Sequence, residues 1–308
     1  MKKRLIVAAI FLPIVFSVLF ILPPVFLSIM LAFICAVSAI ELCKAIGATN
    51  NFRIRVYIVK AAIYIPLATY IGSAHLGFFP SRFVAWIVRV IYITEPIAVA
   101  IIFLTVLLFI EAIKQYKTKS QLPFATLISI IFAAVIMPYM LTTLLDLRLI
   151  GAQDISSLPY YIIPPKTQLG RYLVLVPIIC AFLTDAGAYF AGLLFGKKKA
   201  FPKISPNKTV AGYIGGLLTG IITVTLYAFI VNHYSPYFLN PLFMAFLGLI
   251  GAAATQLGDL AFSLIKREYD VKDFGKILPG HGGMLDRFDS LFIAAPVLYI
   301  FFTILPIH

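Results

Sequence analysis

Apolar runs long enough to cross a bilayer follow one another along most of this chain, and no other feature limits its fold as strongly. They fall near 25–43, 56–76, 97–113, 124–147, 172–195, 212–232, 241–265 and 289–306. About 20 apolar residues, rising 1.5 Å each in a helix, cross roughly 30 Å of hydrocarbon. A further run, Leu5–Leu22, follows Lys2-Lys3-Arg4 and looks at first like a signal peptide. Pro23-Pro24 leads from it straight into the next run, with no small-residue cleavage site between, so a retained first span is expected. The stretch 83–94, with Arg82 and Arg89, is too short and too basic for a span and reads as an interfacial segment or a tilted extension of its neighbour. Composition agrees: 62% of residues are hydrophobic and 12% charged, with a mean hydropathy of +1.02. Ordinary globular chains are roughly 45–50% apolar and about 25% charged. Two soluble domains, a disordered chain and a secreted disulfide scaffold are therefore excluded. The expected fold is an all-α, polytopic integral membrane protein of about nine transmembrane helices.

The excess of 25 basic over 12 acidic residues reads as a membrane signal, not a nucleic-acid footprint, because Lys and Arg collect in cytoplasmic loops beside anionic headgroups. A cytoplasmic N-terminus puts 44–55 (Lys44, Arg53, Arg55), 114–121 (Lys114, Lys117, Lys119), 196–211 (Lys197, Lys198, Lys199, Lys203, Lys208) and 266–288 inside. The poorly basic Pro23-Pro24, 147–171 and 234–240 segments then fall outside. Cys35, Cys43 and Cys180 sit in or beside apolar runs with no Cys-x-x-Cys spacing, so they read as small apolar packers. No internal repeat is visible, which disfavours a secondary transporter. Residues 1–123 are expected to anchor the chain and to offer dimer contacts. Residues 124–308 form the expected catalytic region, with cytoplasmic loops 196–211 and 266–288.

The unusual polar chemistry lies between 184 and 290, where seven of the twelve acidic residues fall: Asp185, Asp259, Glu268, Asp270, Asp273, Asp286 and Asp289. Asp185, in Thr184-Asp185-Ala186-Gly187-Ala188-Tyr189, interrupts an apolar helix. A carboxylate at that depth costs about 2.5–3.5 kcal/mol, so it should face a polar cavity, a cation or a helix–helix hydrogen bond. Ser205-Pro206-Asn207-Lys208-Thr209 precedes a helix opened by Gly212, Gly215 and Gly216. Hydroxyls, a cation and free N–H groups at a helix N-terminus suit a phosphate, although the Walker A spacing is absent. Lys197 to Lys199 read more simply as topology determinants, and Gly212, Gly216 and Gly220 as small-residue packing.

The third segment carries most weight. It runs through Gly258-Asp259, Ser263, Lys266-Arg267, Lys272-Asp273-Phe274-Gly275 and Pro279-Gly280-His281-Gly282-Gly283 to Asp286-Arg287-Phe288-Asp289-Ser290. Asp286 and Asp289 share a face at the start of the last helix, and the Gly-rich turn can fold Asp259 back towards them. Three carboxylates without Cys are hard oxygen donors of the kind Mg²⁺ takes, completed by water and substrate phosphates. Lys266 and Arg267 stand ready to neutralise phosphate. His281 reads equally as a phosphate contact or as a turn-stabilising residue.

From Ser263 to Ser290 the sequence resembles the C-terminal signature of phosphatidate cytidylyltransferases, also called CDP-diacylglycerol synthases, and Asp185 and Ser205-Pro206-x-Lys208-Thr209 also match family features. The resemblance covers roughly 170–306. One departure is Ala211, where the family usually has Glu before the Gly. The resemblance implies CTP and phosphatidate as substrates, CDP-diacylglycerol and pyrophosphate as products, divalent-cation dependence and a homodimer. On this reading Asp259, Asp286 and Asp289 hold Mg²⁺, with room for a second cation, and Asp185 lines the cavity or joins the ligands. Lys266 and Arg267 clamp phosphates and share the catalytic role with Asp286 and Asp289. Ser205, Lys208, Thr209, His281 and Arg287 contact the nucleotide or the lipid phosphate. The expected setting is a bacterial inner membrane with the site facing the cytoplasm. A CTP-dependent polyprenol or phytol kinase, or a transporter of anionic solutes, are the competing readings.

Overall fold

A computed structural model describes residues 13–49, 51–74, 96–116, 122–150, 169–277 and 282–304. Residues 13–20 are helical, and eight helices long and apolar enough to cross a membrane follow among the described residues. Each matches an expected apolar run to within a few residues. Residues 5–12 of the expected first span and all of the Arg82/Arg89 stretch lie outside the described residues. The protein is an all-α polytopic membrane protein, and its chain is organised in two compact units: Met1–Ile163 with Val271–Arg287, and Pro164–Asp270 with Phe288–His308.

In the first unit, α1 (Pro24–Ala45) begins with proline at its first position, where a missing N–H costs nothing. It ends at Gly47, whose φ of +74° lets Ala48 N–H bond Cys43 O at 2.8 Å and close the last turn. Then come α2 (Phe52–Ala74), α3 (Pro96–Lys114) and α4 (Phe124–Leu149). A π-helical turn at Phe132–Ile136 precedes Pro138 in α4, as expected where proline removes an N–H from the helical ladder. Leu31, Cys35, Ile58, Ile65, Leu108 and Leu141 form its buried interior, while Ile102, Phe103 and Ile113 face outwards. A soluble protein seldom tolerates such a surface, but a lipid-facing one requires it. Arg148 is buried at the end of α4 and donates from Nε to Leu19 O at 3.0 Å.

In the second unit, a short helix Gly170–Leu173 leads into α5 (Leu175–Phe195). A hairpin follows, with β1 (Lys199–Phe201) antiparallel to β2 (Ser205–Thr209), pairing Lys199 with Thr209 and Phe201 with Ser205. The expected 196–211 loop is thus partly ordered as strand. The polar run between two apolar spans can pair only with itself, and Val210 N–H bonds Lys198 O at 2.9 Å to close it against the next helix. That helix, α6 (Val210–Tyr234), is capped by Thr209, whose Oγ1 accepts from Gly212 N at 3.1 Å. Asn240 caps α7 (Pro241–Glu268) by accepting from Leu242 N and Phe243 N. The last helix is α8 (Leu285–Ile304), and the boundary between units passes through it after Arg287. α7 runs on through Glu268, so Lys266 and Arg267 stand in its final turn and not in the expected 266–288 loop. Cations there complement the negative end of the helix dipole.

Candidate active site

The second unit brings three carboxylates together because its helices approach more closely than ordinary side chains allow. Along α6, a Cβ on Gly216 would meet Gln256 Nε2 at 2.5 Å, and one on Gly220 would meet Ala252 Cβ at 2.5 Å. Small residues therefore let α5, α6 and α7 pack backbone to backbone. On α7, a Cβ on Gly258 would stand 3.0 Å from both Asp289 O and Ser290 Cα. The residue before Asp259 is thus the one that admits the start of α8.

In that close-packed region each carboxylate has its own partner. Lys208 Nζ, projecting from β2, lies 2.5 Å from Asp259 Oδ2, and Ser263 Oγ donates to Asp259 Oδ1 at 3.3 Å. Lys266 Nζ lies 3.9 Å from Asp289 Oδ2, both side chains 13% exposed. Ser290 Oγ donates to Asp185 Oδ2 at 3.1 Å. Asp259 acts electrostatically on both Asp185 and Asp289, and Asp185 acts on Asp289. Three negative groups repelling one another between two lysines form a region that attracts cationic charge and, once that charge arrives, phosphate.

The donor set is hard and all-oxygen, which suits Mg²⁺. Among the described residues, however, no three His, Cys, Asp or Glu side chains converge tightly enough to enclose a metal ion. That geometry fits a cation delivered on substrate phosphates, because Mg²⁺ is usually held by one or two carboxylates plus phosphate and water. It does not fit an ion caged by protein alone.

The described residues on either side of the Gly-rich segment, 271–277 and 282–287, are organised within the first unit. Asp286 Oδ2 accepts from Phe274 N at 3.0 Å and from Gly283 N at 3.1 Å, so one carboxylate oxygen draws two parts of the loop together. Glu41, on α1 and 2% exposed, accepts from Met284 N at 3.1 Å and Leu285 N at 2.9 Å. These N–H groups at the start of α8 have no intrahelical acceptor, and an anion there is further favoured by the helix dipole. Glu41 is not among the expected site residues, because the first half of the chain reads as hydrophobic filler. The signal was present: it is the one acidic residue in the 25–43 run, at a depth where a carboxylate is costly.

Among the residues expected at the site, Asp185, Asp259, Asp289, Lys208 and Lys266 are brought into one polar group. Asp286 carries backbone hydrogen bonds of the loop. Arg267 is exposed and donates from Nε to Ile204 O at 3.1 Å, tying the end of α7 to the hairpin turn. Ser205 opens β2 opposite Phe201, Thr209 is the cap of α6, and Arg287 is exposed on α8. His281 lies outside the described residues.

The sequence pattern of the cytidylyltransferase family matches residues 2–305. The chain belongs to that family. Over 132 residues this family member is 46% identical to the phosphatidate cytidylyltransferase of Bacillus subtilis strain 168, covering 43% of the chain and 48% of the relative. It is 46% identical over 131 residues to the phosphatidate cytidylyltransferase of Staphylococcus haemolyticus, covering 42% of the chain and 49% of the relative. With that of Staphylococcus epidermidis it shares 43% identity over 140 residues, 46% of the chain and 52% of the relative. The cytidylyltransferase-family chain thus spans about half the length of the curated relatives it matches.

Proposed function

We propose that this family member transfers the cytidylyl group of CTP to phosphatidate, forming CDP-diacylglycerol and pyrophosphate. The observation that carries the reading is the grouping of Asp185, Asp259 and Asp289, from three helices, with Lys208 and Lys266. Such a group can receive a highly anionic substrate and its cation together. The relatives named for the same activity support it.

In this reaction a phosphate oxygen of phosphatidate attacks the α-phosphorus of CTP. The new P–O bond forms as the bond from the α-phosphorus to the bridging oxygen of the β-phosphate breaks, and pyrophosphate leaves with that electron pair. The lipid phosphate is already a nucleophile, so no Ser or Cys nucleophile is needed. The protein's part is positioning and charge neutralisation. Lys208 and Lys266 are the cations that trade their carboxylate partners for phosphate oxygens, and Ser290 orients Asp185. Ser205 and Arg267 flank the same hairpin turn, where nucleotide phosphates would lie. Mg²⁺, which Asp259 and Asp289 would hold, supplies further neutralisation of the triphosphate when bound.

The same reading takes the site to face the cytoplasm across a bacterial inner membrane, supported by the lysines of 197–208, and takes the protein to act as a homodimer, on the family resemblance alone. The test is purified full-length protein in detergent with CTP, phosphatidate and Mg²⁺. Liponucleotide and pyrophosphate in equal amounts are expected. Release of CDP with a newly phosphorylated lipid alcohol would make the protein a lipid kinase. Uptake of anionic solutes by proteoliposomes without nucleotide turnover would make it a transporter.

A further inference from the structure

We propose that Glu41 is a positioning residue for this reaction, holding Gly283, Met284 and the first turn of α8 in one place. The inference rests on the activity proposed above and adds a residue from α1, far from the signature in sequence. A carboxylate within an apolar span is disfavoured unless its lone pairs are used, and here both oxygens of a nearly inaccessible side chain are used. Oε1 takes the N–H of Met284 and Oε2 takes that of Leu285, at 3.1 and 2.9 Å.

The surrounding sequence is shaped to this carboxylate. A Cβ on Gly283 would stand 2.6 Å from Glu41 Oε2 and 2.7 Å from Gly275 N. A Cβ on Gly275 would collide with the Glu41 carboxyl group, and its three nearest atoms all belong to that side chain. Two glycines of the signature, Gly275 and Gly283, therefore leave the room that the Glu41 carboxyl group occupies. Asp286 closes the same loop from the other side through Phe274 N and Gly283 N. Two carboxylates, one local and one from α1, thus hold the backbone at Phe274, Gly283, Met284 and Leu285. Asp289 lies one turn further along the same helix, so the place where α8 begins bears on where Asp289 points. Glu41 touches no reacting atom on this account and acts through the loop and the helix start.

The experiment compares wild type with Glu41→Gln and Gly275→Ala in the full-length detergent-solubilised protein. Glutamine keeps the shape, but its amide offers an N–H₂ to one of the two backbone N–H groups. Gly275→Ala keeps the charge and displaces it, so it stands in where Glu41→Gln does not fold. In each variant kcat per folded molecule should fall on the order of tenfold while KM for CTP shifts by less than about threefold. Amide exchange at Met284 and Leu285 should quicken, with α6 exchanging as in wild type. Glu41→Asp, which restores the carboxylate one methylene short, should recover part of kcat. A purely structural role would lower the folded fraction and leave kcat per folded molecule at the wild-type value, and that result overturns the proposal. Wild-type protein that forms no liponucleotide would overturn the assigned reaction instead, while unchanged exchange at Met284 and Leu285 in Glu41→Gln would still count against Glu41.

Discussion

Gly258→Ala is expected to damage turnover more than stability, and the geometry at α7 and α8 says by how much. The added Cβ would stand 3.0 Å from Asp289 O, Ser290 Cα and Ser290 O, against an ordinary contact of 3.4 Å or more. All three atoms are backbone, so no side-chain rotation relieves the contact, and the two helices must give by about 0.4 Å (3.4 less 3.0). Overpacking of this kind costs about 1–3 kcal/mol. Replacing glycine by alanine inside a helix returns about 1 kcal/mol, leaving a net loss of about 0–2 kcal/mol. The displaced residues are Asp289, paired with Lys266, and Ser290, which holds Asp185. Since a 1 Å misplacement can cost about 10²-fold in rate, a shift of roughly half that predicts about a tenfold loss of kcat. The assay pairs thermal unfolding in detergent with initial rates of liponucleotide formation. Gly258→Ala with wild-type kcat would refute the view that this close approach sets the carboxylate geometry. Gly47→Ala gives the contrast: its φ of +74° is strained for alanine, yet nothing lies within 4 Å of the new Cβ. It should lose about 1 kcal/mol of stability with no loss of kcat per folded molecule.

Asp289→Asn should remain folded and lose turnover on the order of 10²–10³-fold, measured by labelled CTP incorporation; near-wild-type rates would remove Asp289 from the site. Lys208→Ala should lose on the order of 10²-fold, with Lys208→Arg recovering part of it through retained charge, and salt titration of the residual rate should be flatter in the alanine variant. Thr209→Val removes the cap on Gly212 N and should lower stability by about 1 kcal/mol, seen in the melting temperature. Chelation of divalent cations should abolish liponucleotide formation, and Mg²⁺ should restore it without refolding, checked by near-UV circular dichroism before and after.

Eight apolar runs became eight helices with boundaries close to those expected, because a lipid span is decided by local hydropathy and length. Thr209, expected as a phosphate contact, and Asn240, on which no expectation fell, cap their helices through N–H groups two or three residues away. The acidic residues of the C-terminal half were visible as chemistry, since a carboxylate among apolar neighbours stands out in any window. Their pairing was not visible. Nothing local says that Lys208 meets Asp259 while Lys266 turns to Asp289, or that Asp286 Oδ2 accepts from two parts of the loop backbone.

Hydropathy and motif spacing thus determined that the chain crosses a membrane, where its helices run and which stretch carries most of the acidic groups. Tertiary structure decided the partners. Glu41 meets Met284 across 243 positions of sequence, and the 3.0 Å approach at Gly258 depends on two helices meeting face to face. Both follow from packing in three dimensions, where a glycine's missing Cβ on one helix makes room for a neighbour that no sequence window contains.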